Sequence, residues 1–132
     1  VAGYTIVNDV SVPHASYYRP QVRCKARDGF CPIGPRVVGR ASVANPDDLV
    51  IRVHVDGELV QQASTAGMAR PVARLIADVT EFMTLAPGDV LMLGVAAGAP
   101  RVHAGQLVEI EIAGIGRLEN RFVAEPRAGD AA

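Results

Sequence analysis

The chain has 132 residues, 49% of them hydrophobic, which is enough for one domain with its own core. Its 13 Lys and Arg against 14 Asp and Glu give a formal net charge of −1, which does not favour nucleic acid or an anionic membrane as a partner. No apolar run approaches the roughly 18 residues that cross a bilayer, and two cysteines, Cys24 and Cys31, favour free thiols in a cytoplasmic protein.

The first predicted element is a buried strand over residues 1–8, which carries the carboxylate of Asp9 at its end. The chain starts without Met, and we expect it to begin inside a domain. A strand fixes a side chain at its end while the loop exposes it, so Asp9 is a candidate ligand for Mg²⁺ or Mn²⁺. The alternative is an Asp that caps the next turn. His14, five residues on, is a candidate general acid or base.

Residues 9–48 are rich in proline and glycine and predict a long, ordered loop. This loop carries the cationic side chains Arg19, Lys25 and Arg27. Arginine binds carboxylates bidentately and lysine acts as a point charge, so the loop suits an acidic substrate. A solvated charged loop is the alternative.

The middle of the chain predicts a β-hairpin followed by one helix. Residues 49–55 alternate as in a strand, Asp-Gly at 56–57 is a two-residue turn signal, and residues 58–62 return antiparallel. Apolar residues then recur at helical spacing between residues 69 and 85, with Ser64 or Thr65 as the N-cap. The apolar face of this helix consists of Val72, Leu75, Ile76, Val79, Phe82 and Met83.

The last third predicts a strand over residues 90–93 and a hairpin over residues 106–123. Glu109 and Glu111 are two apart on the first strand of that hairpin and therefore share one face. Val108, Ile110 and Ile112 alternate with them and indicate that the opposite face is core. The glutamates are therefore expected on a solvated face and not as a metal-chelating pair. The predicted fold class is mostly β (α+β) with one packed helix, and residues 124–132 form a flexible tail.

Four segments in a fixed order resemble motifs of one enzyme family. They are GYTIVND at 3–9, KARDGFCPIGP at 25–35, DGELVQQAST at 56–65 and EFMTLAPGD at 81–89. Together they resemble the fumarylacetoacetate hydrolase family, and residues 17–20 and 27–34 are similar to its isomerase/decarboxylase branch in 4-hydroxyphenylacetate (homoprotocatechuate) degradation. On this resemblance, residues 1–123 are the C-terminal two-thirds of a fumarylacetoacetate hydrolase-type β roll whose N-terminal part is absent.

The resemblance also implies a metal-dependent site. The family holds a divalent ion, Mg²⁺ or Mn²⁺ (or Ca²⁺ in a crystal), with three carboxylates, and Asp9 matches the third of these ligands. The first two would lie upstream of Val1. Lys25 matches the active-site lysine of the family, and Thr65 is similar to a threonine near the substrate pocket. The family is commonly dimeric, so the resemblance implies a homodimer or a larger homo-oligomer.

The implied reaction is decarboxylation or isomerisation of an unsaturated oxo-polycarboxylate, of the 5-oxopent-3-ene-1,2,5-tricarboxylate type, in aromatic catabolism. A metal ion would assist enolate chemistry, Arg19 or Arg27 would hold a distal carboxylate, and His14 would carry a proton. Residues 11–14 and 93–96 depart from family patterns that carry polar side chains. Two alternatives therefore stay open: a non-catalytic half-domain that pairs with an active homologue, and a C–C hydrolase of an acylpyruvate or fumarylacetoacetate type of substrate.

Overall fold

The computed structural model describes residues 1–15 and 21–125, and within these ranges it contains six strands and two helices. The elements are β1 (Gly3–Val7), α1 (Val22–Lys25), β2 (Ile33–Gly39), β3 (Val50–Val55), β4 (Glu58–Ser64), α2 (Val72–Thr80), β5 (Leu107–Ile112) and β6 (Gly116–Arg121). Single 3-10 turns lie at Arg40–Ser42 and Thr65–Gly67. The predicted mostly β fold with one helix of substantial length is confirmed. The predicted tail lies outside the described residues from residue 126 onward.

The strands form two antiparallel sheets. β1 pairs with β2, and the larger sheet has the order β4-β3-β5-β6. Asp56 and Gly57 connect β3 to β4 with φ values of 51° and 86°, which Asp and Gly tolerate better than bulkier residues. Both predicted hairpins are therefore confirmed, with β5 and β6 paired from Leu107–Arg121 to Ile112–Gly116.

The core lies between the two sheets. Apolar residues alternate along β3 and β5, so that Ile51, Val53 and Val55 stand opposite Ile112, Ile110 and Val108 on one face.

The buried cluster consists of Ile6, Val43, Ile115 and Leu118. Ile6 is only 1% exposed, which anchors β1 on the larger sheet, and Asn8 just beyond β1 donates its side-chain amide to Asn120 of β6 at 3.1 Å. The end of β1 is thereby held in place.

The prediction for residues 9–48 is wrong in part, because that segment contains α1 and the strand β2. Gly3 of β1 lies opposite Gly39 of β2, and a Cβ at Gly3 would collide with the carbonyl oxygen of Val38. Glycine thus allows the two backbones to approach here. The prediction of a strand over residues 90–93 is also wrong. These residues form no strand and pair with none of the strands in the described residues.

The helix α2 is shorter than predicted, with Val72–Thr80 in place of residues 69–85. Its apolar face is confirmed over the helical residues, where Val72 is 6% exposed. Phe82 and Met83 lie beyond the helix and are 78% and 50% exposed. Among the described residues, no helix combines the length and apolar character needed to cross a membrane.

The predicted N-cap of α2 is also wrong. The hydroxyl of Ser64 accepts the N–H of Ala66 at 3.1 Å, so Ser64 caps the preceding 3-10 turn. Asp47, far away in sequence, accepts the N–H of Val72 at 2.7 Å and supplies the cap of α2. A cap that comes from another part of the chain leaves no local sequence signal.

Candidate functional site

The segment beyond β1 continues to pair with the end of α1 and with the loop that follows it. Three backbone bonds hold it: Asn8 N–H to Pro32 O at 3.0 Å, Val10 N–H to Phe30 O at 3.0 Å and Val12 N–H to Cys24 O at 2.9 Å. Residues 8–12 therefore run alongside residues 24–32. This pairing places Asp9 next to the end of α1.

Lys25, the last residue of α1, forms an ion pair with Asp9. Its Nζ lies 2.8 Å from Oδ1 and 2.7 Å from Oδ2, so one ammonium donates to both carboxylate oxygens. The Asp9 side chain is 22% exposed and the Lys25 side chain 50% exposed. Two of the residues predicted to share a site are thus in direct contact.

Arg27 lies in the same loop but contacts different residues. Its Nη2 is 3.2 Å from the carboxylate of Glu125, and its guanidinium stacks over Phe30 at 5.7 Å from the ring centroid. His14 is half-buried, two residues beyond the segment that pairs with α1. Arg19 lies outside the described residues, so its role stays a prediction.

Thr65 is buried at the end of β4, 8% exposed. Its hydroxyl accepts the N–H of Leu49 at 2.8 Å and donates to the carbonyl of Pro46 at 2.8 Å. The single hydroxyl hydrogen is therefore already used within the protein. These bonds tie the end of β4 to the segment before β3.

Asp9 fits the predicted cofactor as one ligand. Carboxylate oxygens are the donors that Mg²⁺ and Mn²⁺ prefer, and both oxygens of Asp9 already face a cation, the ammonium of Lys25. Within residues 1–15 and 21–125, no three carboxylate, imidazole or thiol groups come together in a way that could hold a metal ion. A complete site would need further donors besides Asp9.

The acidic pair on β5 is held by arginines. Glu109 and Glu111 share one face as predicted, but the prediction of a solvated face is wrong for Glu109, which is 7% exposed. Arg117 of β6 bonds to Glu109, and Arg52 of β3 lies 3.6 Å from Glu111. Both carboxylates have a cationic partner, which argues against a chelating role.

Asp56 in the first hairpin turn is a polar anchor that the sequence indicated only as a turn residue. Its carboxylate accepts the N–H of Leu107 at 2.9 Å and the side-chain amide of Gln106 at 3.0 Å. These two hydrogen bonds, together with the charge of Arg121, lower the pKa of Asp56 below its usual value of 3.8. A surface cleft of about 430 Å³ lies beside Asp56, and none of the candidate site residues lines it.

Comparison with known proteins matches nearly the whole chain to one enzyme family. A family model described as fumarylacetoacetate (FAA) hydrolase C-terminal matches residues 1–123. The 4-hydroxyphenylacetate degradation bifunctional isomerase/decarboxylase of Salmonella dublin is 44% identical over 130 residues, which are 97% of this chain. The chain spans only 30% of the length of that relative.

Solved structures show the same relationship. The 2-hydroxyhepta-2,4-diene-1,7-dioate isomerase of Mycobacterium marinum superimposes with a TM-score of 0.81 at 37% identity, over 96% of this chain and 49% of that one. The maleylpyruvate hydrolase of Sphingobium sp. SYK-6, in complex with manganese (II) ion and pyruvate, gives a TM-score of 0.83 at 31% identity, over 92% of this chain and 44% of that one. Each structure is about twice as long as the part that matches.

Proposed function

The chain belongs to the fumarylacetoacetate hydrolase family, and we propose that it forms part of the active site of a decarboxylase/isomerase. The substrate would be an unsaturated oxo-polycarboxylate of the 5-oxopent-3-ene-1,2,5-tricarboxylate type. The observation that carries the proposal is the contact between Asp9 and Lys25, in a chain 44% identical to an isomerase/decarboxylase. A carboxylate beside an ammonium offers one group to a divalent cation and one to an anionic substrate.

Asp9 would hold the cation, Mg²⁺ or Mn²⁺, together with ligands from outside the described residues. When bound, such an ion supplies Lewis-acid stabilisation of the negative charge that develops as CO₂ leaves. Support for the ion comes from the carboxylate chemistry of Asp9 and from the manganese and pyruvate bound by the maleylpyruvate hydrolase.

Lys25 and His14 would handle the substrate carboxylate and the proton. In decarboxylation, the bond to the carboxylate carbon breaks and its electron pair moves towards the oxo group, and a proton then reaches the carbon that lost CO₂. The ammonium of Lys25 would anchor a substrate carboxylate or pass this proton, since its Nζ already donates to one carboxylate. His14 is the second proposed proton carrier.

The remaining substrate contacts are proposed for Arg27, Arg19 and Thr65. Arg27 would exchange its exposed partner Glu125 for a distal substrate carboxylate, because both groups of that pair are accessible. Thr65 could donate to a substrate only by giving up its bond to Pro46. We place the protein in the cytoplasm, where its free cysteines Cys24 and Cys31 would stay reduced.

Two other functions have a specific observation in their favour. A non-catalytic half-domain would explain why the described residues bring no three metal-ligating groups together. A C–C hydrolase acting on an acylpyruvate would agree with the 31% identity to a maleylpyruvate hydrolase. The first predicts no turnover by this chain with metal, and the second predicts cleavage products from an acylpyruvate.

The test is the Lys25→Ala variant of the purified, metal-loaded protein. We expect turnover of the oxo-polycarboxylate to fall by about a hundredfold or more, the range in which a positioned proton-transfer group contributes. Arg23→Ala is the matched control, because Arg23 lies on α1 like Lys25 but forms no ion pair within the described residues. Unchanged turnover after Lys25→Ala would refute the roles assigned to the pair.

A further inference from the structure

Asp9 lies at the centre of a three-residue turn. The N–H of Val10 donates to the carbonyl of Asn8 at 3.1 Å, which closes a γ-turn around Asp9. Among the described residues, Asp56 is the one non-glycine residue with a positive φ, so φ at Asp9 is negative and the turn is of the inverse type that is common at strand ends. The chain turns here directly after β1, and the turn sets the direction of the Asp9 carboxylate.

This turn is anchored on two sides. The N–H groups of Asn8 and Val10 donate to carbonyls in residues 30–32, at 3.0 Å each, which holds the turn on the side of the loop after α1. On the other side, the side-chain amide of Asn8 donates to the side-chain oxygen of Asn120 in β6 at 3.1 Å. This bond ties the turn to the larger sheet.

Asn120 is a firm anchor, because it lies in the regular pairing of the last hairpin, opposite Val108, which is 4% exposed. A γ-turn has a single internal hydrogen bond, so its orientation depends on its anchors. Successive side chains of an extended segment point to opposite sides. A bond that holds the Asn8 side chain against β6 therefore turns the next side chain, Asp9, away from β6 and towards Lys25.

We propose that Asn120 is a positioning residue of the candidate site: through Asn8 it orients the turn that places the carboxylate of Asp9 on Lys25. The contact between Asp9 and Lys25 then depends on the larger sheet, through a bond between residues 112 apart in the sequence. The inference rests on the proposed function for the part that Lys25 plays in the reaction, and it adds a residue of β6 that lies outside the sequence motifs.

The test measures the reactivity of the Lys25 amine in the purified protein. Lys25 is the only lysine of the sequence, so an amine-reactive reagent at fixed pH labels one lysine, and mass spectrometry of the peptides separates it from the N-terminal amine. Asp9→Asn sets the upper limit of the rate, which we expect to be roughly two- to fivefold faster than in the unmodified protein, as for the loss of an exposed ion pair. Asn120→Ala should label Lys25 at a rate close to this limit.

Three further variants show whether the bond itself is the cause. Asn120→Asp keeps an acceptor oxygen for the amide of Asn8 and should label at the slow rate of the unmodified protein, which a merely structural loss at β6 would not do. Asn8→Ala removes the other end of the bond and should label like Asn120→Ala, which keeps the test decisive if one variant does not fold. Asp47→Ala removes the cap of α2, does not touch residues 8–12 and should label at the slow rate.

The outcomes separate this inference from the proposed function, because the labelling needs neither metal nor substrate. Fast labelling of Asn120→Ala and Asn8→Ala with slow labelling of Asn120→Asp supports the positioning role, even where unchanged turnover by Lys25→Ala refutes the proposed roles of the pair. Labelling of Asn120→Ala and Asn8→Ala at the unmodified rate shows that the bond does not act on the pair. The inference is equally wrong if Asn120→Asp or Asp47→Ala labels as fast as Asn120→Ala, or if Asp9→Asn labels at the unmodified rate.

Discussion

Arg117 neutralises the charge of the buried Glu109 carboxylate and thereby stabilises the fold. We expect Arg117→Ala to lower the free energy of unfolding by about 2–3 kcal/mol, because the variant leaves a charge that is 7% exposed without its partner. Chemical denaturation measures the loss. Arg52→Ala is the control on the same sheet, since its partner Glu111 is 44% exposed and such pairs contribute about 1 kcal/mol or less. Equal losses in the two variants would contradict the role of burial.

Asp56 makes stability depend on pH. The N–H of Leu107, the amide of Gln106 and the charge of Arg121 lower its pKa in the folded state from 3.8. The folded chain then binds fewer protons than the unfolded chain, so the contribution of Asp56 is present above about pH 4 and is lost as pH falls through the lower, folded pKa.

The Asp56→Asn variant tests this dependence. Asn tolerates the positive φ of 51° at this position, so the substitution removes the charge and leaves the turn intact. We expect the variant to be less stable than the unmodified protein at neutral pH, with a difference that shrinks as pH falls below 3.8 and through the lower, folded pKa of Asp56. Urea denaturation at several pH values measures the difference. A difference that stays constant with pH would show that the charge is not its cause.

At the scale of elements, local patterns predicted the hairpins and missed what depends on distant contacts. The Asp-Gly turn and the alternation in β3 and β5 are visible within a few residues, and the sequence predicts both hairpins. The pairing of β1 with β2 joins residues about 30 apart, and β2 contains two glycines and a proline, so its local signal favours a loop.

The candidate site shows the same limit. Motifs in the sequence identify both Asp9 and Lys25, but their contact arises from a backbone pairing between residues 8–12 and residues 24–32, which no local pattern encodes. The Glu109–Arg117 pair could be predicted from the sequence. In the register of the last hairpin Arg117 lies opposite Glu111, on the same face as Glu109 and diagonal to it.

The cap of α2 gives a prediction at this scale. Asp47→Ala should lower the free energy of unfolding by about 1 kcal/mol, because the N–H of Val72 loses its carboxylate acceptor and the helix N-terminus loses a negative charge. Thermal or chemical denaturation measures the change. Asp48→Ala removes a neighbouring, exposed carboxylate and should have little effect. If the two variants lose the same stability, the cap is not the cause.

At the scale of the whole chain, large apolar side chains are exposed within residues 82–95, where Phe82 is 78% exposed and Val95 69% exposed. This segment includes residues 90–93, which have a strand-like sequence and no partner strand among the described residues. Exposed apolar surface of this kind favours association.

We therefore predict that the 132-residue chain associates in solution, at least into the homodimer expected from its sequence. Light scattering coupled to size-exclusion chromatography should give at least twice the 13.9 kDa of one chain. Phe82→Gln should shift this equilibrium towards monomer, because it removes the apolar side chain that is 78% exposed. Val22→Gln, at a position 62% exposed on α1, should leave the mass unchanged. A monomer at all concentrations would show that the exposed segment does not drive association, and an equal shift in both variants would show that the contact is not specific to it.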